Sequence, residues 1–132
     1  MQHRPMQTRK IVAPDGPQPP SAYAQALEVT DARRWLFVSG QIPVSASGEV
    51  PESFEEQARL AWRNIEHQLE AAGMTLANIV KHTTFLSDRR YRDTYRKVRL
   101  EVLGEHAPAL TVVICDIFDE AWLLEVEAVA AA

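Results

Sequence analysis

The sequence predicts an α+β sandwich in which two helices cover one face of a mixed six-stranded sheet. Three observations lead there. Residues 53–73 carry an N-terminal cap and one continuous apolar stripe, so they read as a long amphipathic helix. Residues 90–103 form a second helical stretch that stops at Gly104. Short apolar runs bounded by turn residues surround both, and the resulting order is βββ-α-β-α-ββ.

Each element has its own local reason. A short strand over 9–12 precedes APDGPQPP (13–20), where proline and glycine enforce an extended loop. Strands over 23–29 and 34–39 follow, joined by the turn residues Thr30 and Asp31. The segment RRWLFVSG is apolar without strict alternation, which predicts cover on both of its faces. SASGEV then reads as a turn and a brief return. In the first helix SFEE makes a capping box, with the Ser53 hydroxyl and the Glu56 carboxylate each satisfying a free backbone N–H. Phe54, Ala58, Ala61, Trp62, Ile65, Leu69 and Ala72 build its stripe, and Gly73 ends it. Leu76, Ile79 and Val80 pack a short turn that leads into the strand KHTTFL. The second helix places Tyr91, Tyr95, Val98 and Val102 on one side. Strands over 110–118 and 122–130, joined by the turn Asp119-Glu120, complete the chain.

A chain of 132 residues is one domain, 1–132, large enough to bury a core without metal or disulfide staples. Its 46% apolar and 24% charged residues are the balance of a globular protein. No apolar stretch reaches the roughly 20 residues that span a bilayer. The basic opening MQHRPMQTRK lacks the apolar core of a secretory signal. A single cysteine, Cys115, excludes a disulfide within the chain and suits a reducing, cytoplasmic setting. Histidines at 3, 67, 82 and 106 have no zinc-like spacing. A net charge of −4 argues against a general nucleic-acid binder.

Alternation along LLEVEAVA places the Glu125 and Glu127 carboxylates on one face of the last strand and Leu124, Val126 and Ala128 on the other. These carboxylates either meet water or sit in a cleft, where a raised pKa would suit one to handling a proton or placing a water. SGQIP (39–43) ends a strand in small residues that let a ligand approach the backbone; an ordinary strand exit looks the same. Arg89, Arg90, Arg92, Arg96, Lys97 and Arg99 make the second helix basic, either as an anion face or as a solvated surface balanced by Asp88, Asp93 and Glu101. Cys115 in an apolar strand reads as packing. His82 and His67 read as hydrogen-bonded structural or surface residues. No P-loop and no G-x-S-x-G occurs.

Five segments in order, VSGQIPV (38–44), GEVP (48–51), EAAGMTLANIVKHTTFLSD (70–88), AP (107–108) and LEVEAVA (124–130), resemble the RidA family, also called YjgF or endoribonuclease L-PSP-like proteins. The resemblance implies a chorismate-mutase-like fold of the bacillus type and a homotrimer with ligand clefts between subunits. It also implies hydrolysis of reactive enamines and imines, such as 2-iminopropanoate, to 2-oxo acids and ammonia, without metal or organic cofactor. Carried onto this chain, Glu125 orients the attacking water, and Tyr23, Ser39, Gly40 and Thr111 line the pocket. The family's carboxylate-gripping arginine is Leu110 here, and the helix position that commonly holds Asn is Tyr95.

A charge-assisted hydrogen bond to a carboxylate contributes roughly 1.5–3 kcal/mol, and a bidentate arginine sits at the stronger end. With Leu110 in that place, a simple 2-imino acid is expected to bind orders of magnitude less well, at about 1.4 kcal/mol per tenfold. The leading expectation is therefore a RidA-like enamine or imine deaminase acting on a different substrate, with Leu110, Tyr95 and Trp122 walling its pocket. The alternative is a non-catalytic trimer that binds a small metabolite or plays a regulatory part. Endoribonuclease activity is the weakest reading, and neither a membrane nor nucleic acid is an expected partner.

Overall fold

A computed structural model describes residues 4–18 and 20–132. The first three residues of the basic opening segment and Pro19 of the predicted loop lie outside the described residues. Six strands and two long helices follow in the predicted order: β1 (Gln7–Ile11), β2 (Ala26–Thr30), β3 (Trp35–Gln41), α1 (Phe54–Ala71), β4 (Ile79–Leu86), α2 (Arg92–Leu103), β5 (Ala109–Ile114) and β6 (Leu124–Ala131). One 3₁₀ turn precedes β4 and another precedes α2.

Hydrogen bonding divides the strands unevenly. β3, β6, β4 and β5 form a four-stranded sheet in that order, while β1 and β2 pair as a separate antiparallel hairpin. A bridge between Ala24 and Ala109 ties the approach to β2 onto the start of β5. The six strands thus form two sheets rather than one continuous sheet. β5 runs parallel to β4, and β6 lies antiparallel between β3 and β4. The last two strands are consecutive in sequence but not neighbours in space. The chain leaves β5 at the sheet edge, turns at Asp119 (whose side chain accepts from Ala121 N at 2.8 Å) and returns through the middle.

Alternation sorts the sheet into a helix-covered face and an open one. Leu124, Val126, Ala128 and Ala130 of β6 and His82, Thr84 and Leu86 of β4 are buried under α1 and α2, where Trp62, Ile65, Leu69 and Val98 complete the core. The other face carries Trp35 and Phe37 of β3, 50% and 75% exposed. β3 is therefore covered on one face only within this chain, contrary to the reading of RRWLFVSG.

α1 begins as its sequence requires: the Ser53 hydroxyl accepts from Glu56 N at 3.2 Å. The reciprocal bond from the Glu56 carboxylate is not among the hydrogen bonds of the described residues, so half of the predicted box forms. Gly73, at φ 72°, turns the chain out of the helix in a conformation that a Cβ would strain. No helix is long and apolar enough to cross a membrane.

Candidate functional site

Glu125 sits on the open face, near the start of the central strand β6, because the odd-numbered side chains of β6 point away from the helices. In β3, Val38 pairs with Ala128 and Gln41 with Val126, so Ser39 and Gly40 together oppose the single residue Glu127. This is a β-bulge, a device that bends a strand and re-aims its side chains. The bulge brings Gly40 directly against Glu125. A Cβ built on Gly40 would lie 2.7 Å from the carboxylate carbon of Glu125 and 3.0 Å from its Cγ, closer than carbon atoms tolerate. Position 40 is glycine so that the carboxylate can lie over the backbone.

Register extends the site across the face in two rows. Glu125 pairs with Phe85, which pairs with Val113; Glu127 pairs with Thr83, which pairs with Thr111. A cavity of about 360 Å3 beside the second row is lined by Phe37, Ser39, Lys81, Thr83, Glu127 and Val129. The Thr111 hydroxyl accepts a 2.7 Å hydrogen bond from the Lys81 ammonium. Lys81 was not singled out from the sequence. Alternation along VKHTTFL, which puts Lys81 and Thr83 on one face, carried the signal.

The remaining predicted residues lie on the other side of the sheet. Leu110 pairs with His82, which pairs with Ala128, all on the helix-covered face. Leu110 is half-buried at the edge, and Tyr23 stands one residue before the Ala24–Ala109 bridge. Tyr95 is 2% exposed, hydrogen-bonded to the Thr84 hydroxyl and to Trp62 Nε1 (3.3 Å), and it forms part of the lining of a groove between α2 and β5. Burial raises the pKa of its phenol. One chain thus sets Gly40 and Ser39 beside Glu125, carries Thr111 on the same face two strands away, and separates all four from Leu110, Tyr23 and Tyr95. Trp122 is half-buried in the loop before β6.

His82 is a correction, because it is not hydrogen-bonded. It is 1% exposed, packs edge-on against Trp62 with ring centroids 5.1 Å apart, and has no hydrogen-bond partner on either ring nitrogen. Burial, reinforced by the charges of Arg99, Lys81 and His106, pushes its pKa down to about 3. Arg99 is another: 6% exposed, it is not part of a solvated surface.

Gln57, unremarked in the sequence because it interrupts the apolar stripe of α1, secures the loop that delivers β6. Its side-chain amide donates to Pro51 O at 2.8 Å and Ala121 O at 3.0 Å, and its carbonyl accepts from Leu123 N at 2.8 Å. Two residues beyond Leu123 stands Glu125. Among the described residues no three His, Cys, Asp or Glu side chains come together as a metal-holding group.

The family model for endoribonuclease L-PSP matches residues 14–132. The chain belongs to that family. A RutC family protein of Pyrococcus horikoshii is 34% identical over 122 residues, which is 91% of this chain and 94% of that protein. TdcF of Escherichia coli, named for reactive-intermediate deamination, is 34% identical over 88 residues, 66% of this chain and 68% of TdcF. The crystal structure of Escherichia coli TdcF with bound serine superposes with a TM-score of 0.71 at 30% identity, covering 94% of this chain and 98% of TdcF. A Rid family protein from Yersinia pestis superposes at a TM-score of 0.81 over 95% of this chain and 98% of its own length; at 22% identity it speaks for the fold. These Rid and YjgF relatives give the chain its chorismate-mutase-like α+β fold.

Proposed function

We propose that this Rid family member hydrolyses a reactive imine or enamine to a carbonyl compound and ammonia, on a substrate other than a simple 2-imino acid. The observation that carries the reading is the Glu125 carboxylate seated over Gly40 on an open sheet face. There it can accept a proton from water as the oxygen adds to the imine carbon, giving a carbinolamine. Returning that proton to nitrogen, and then passing the hydroxyl proton to nitrogen in the same way, lets the C–N bond break as the carbonyl forms, so imine plus water becomes carbonyl plus ammonia. Imines need little more than a positioned water and a proton shuttle. The Ser39 hydroxyl, next to Gly40, supplies a hydrogen bond to the adduct, and a Thr111 hydroxyl can reach it only from a neighbouring copy, since within one chain it stands two strands away.

The site is complete in this reading only when copies of the chain meet. Glu125 and Leu110 lie on opposite faces of one sheet, so a cleft holding both takes one residue from each of two neighbours. The exposed Trp35 and Phe37 support such an assembly, because water-facing aromatics on a central sheet face gain by being covered. A homotrimer is the expected form, checked by light scattering.

The test is ammonia release from a panel of uncharged and charged imines generated in the assay. At least one imine of the panel is expected to turn over, 2-iminopropanoate only slowly, and Glu125→Gln is expected to abolish both. Full activity in Glu125→Gln overturns the role of the carboxylate. Leu110 favours a second reading, a non-catalytic trimer that holds a small metabolite. A ligand that shifts the melting temperature and is recovered unchanged would support it.

A further inference from the structure

α2 and the 3₁₀ turn before it gather positive charge into one groove. Arg89, Arg92, Arg96 and Arg99 follow at intervals of three, four and three residues, so they share one stripe. All four line a groove of about 340 Å3 between α2 and the edge strand β5. Along a helix this stripe spans roughly 15 Å. The opposite wall is apolar: Leu86, Val112 and Ile114 line it, with Tyr95 beneath. Leu110 lies on the same face of β5 as Val112 and Ile114, so the groove runs on from the residue that stands in the arginine's place.

The groove arginines are short of counter-charge. Glu55 and Glu101 pair with Arg59 and Lys97 on the other side of the helices. Of the four, Arg92 has a 3.8 Å contact to Asp93, both side chains largely in water, and Arg89, Arg96 and Arg99 have no carboxylate partner among the described residues. No acidic residue lines the groove. Arg99 is the telling case. At 6% exposure it has a single hydrogen bond, 3.4 Å to Ala22 O, although a buried charge without a partner is costly. Burial lowers its pKa, and Tyr23 and Tyr95 are close enough to act on it. Ala22 lies two residues before the Ala24–Ala109 bridge, and His82, on which the charge of Arg99 also acts, is the register partner of Leu110. The guanidinium therefore lies toward the end of β5 where Leu110 stands, the position that holds arginine in the pattern the sequence resembles.

We propose that this groove is an anion subsite that takes a small organic dianion, a phosphate monoester or a dicarboxylate, with an apolar body against β5. Arg99 holds one anionic group near Leu110, the outer arginines attract the rest, and Val112 and Ile114 pack the carbon skeleton. A monoanion such as a simple 2-oxo acid engages one end only. That the dianion is also the substrate rests on the deaminase reading above; its binding does not.

The test is calorimetric titration of the purified chain with adipate, phenyl phosphate and pyruvate. Adipate or phenyl phosphate is expected to bind at least about tenfold tighter than pyruvate, the factor one charge-assisted hydrogen bond supplies. Whichever of the two binds tighter identifies the anionic group. Arg99→Met is expected to weaken that binding about tenfold or more. The exposed pair Arg92→Glu and Arg96→Glu, changed together, provides a variant whose fold does not depend on a buried charge, and it is expected to weaken binding likewise. Equal affinity for pyruvate and both dianions, or affinity unchanged in both variants, overturns the proposal. So does a single-stranded RNA oligomer that displaces the dianions at lower concentration. Imine turnover without dianion binding refutes the subsite alone, whereas dianion binding without any imine turnover refutes the deaminase reading alone.

Discussion

The Glu125 carboxylate fills the space that a side chain at position 40 would need, and the bulge formed by Ser39 and Gly40 opposite Glu127 creates that space. Gly40→Ala is therefore a test of where the carboxylate must be. The added methyl group would overlap the end of a side chain rather than backbone, so Glu125 can rotate away and the fold survives, at a cost of about 1 kcal/mol. The proposed proton shuttle moves with it. Turnover of any imine substrate is expected to fall roughly 100-fold, within the range of a lost general base, while the melting temperature shifts by only a few degrees. Wild-type rates in Gly40→Ala would show that the placement of Glu125 over the glycine is incidental.

Tyr95 is expected to act through stability. Its hydroxyl is shared between Thr84 and Trp62 in the core, away from water. Tyr95→Phe leaves a hydroxyl and an indole N–H without their partner, a loss of about 1–3 kcal/mol. Denaturant unfolding should report that loss, and KM for an imine substrate should stay within about twofold, well under the tenfold of a lost contact. A large KM change at undiminished stability would return Tyr95 to the binding pocket.

Much of this was legible before any coordinates. Capping at Ser53, the stripe of α1, Gly73, Gly104 and the alternation in β6 are local signals, because each depends on residues within a turn or two of one another. The exposed face of β3 was misread since apolar side chains on both faces look alike whether the second cover is the same chain or another copy. The hydrogen bonding of Tyr95 and the lack of it at His82 are not legible for a related reason. Their environments are made by Trp62 and Thr84, which lie far away in sequence and leave no local trace. The bulge at Ser39 and Gly40 is invisible in a single strand, since it exists only as a mismatch of register with β6.

His82 makes stability depend on pH in a defined window. Burial first, then the charges of Arg99, Lys81 and His106, push its pKa from 6.5 to about 3. Unfolding frees the imidazole to bind a proton with its ordinary affinity. Between pH 6.5 and 3 the unfolded chain therefore carries a proton the folded chain refuses, and stability falls as the pH drops through that range. Above pH 6.5 the ring is neutral in both states and contributes no slope. The expected slope approaches about 1.4 kcal/mol per pH unit below pH 6. Urea midpoints measured from pH 8 to pH 5 for wild type and His82→Gln would show it, with the variant losing this part of the slope. Parallel curves would mean that the folded protein accommodates the imidazolium.

Leu110→Arg asks whether the position selects carboxylates. Leu110 is half-buried at the start of the edge strand, paired with His82, so a long side chain can reach out along the groove rather than into the core. A guanidinium there could form a bidentate pair with the carboxylate of 2-iminopropanoate, a gain of about 1.5–3 kcal/mol. That corresponds to roughly 10–150-fold in kcat/KM. Arg99 draws the same carboxylate in the subsite proposed above, so the gain should sit at the lower end, and adding Arg99→Met should lower kcat/KM again. The measurement is ammonia release from 2-iminopropanoate by the wild type, Leu110→Arg and the double variant. If neither variant exceeds the wild type, the strand position is not what withholds simple 2-imino acids from this site, and the cause must lie in the neighbouring groove.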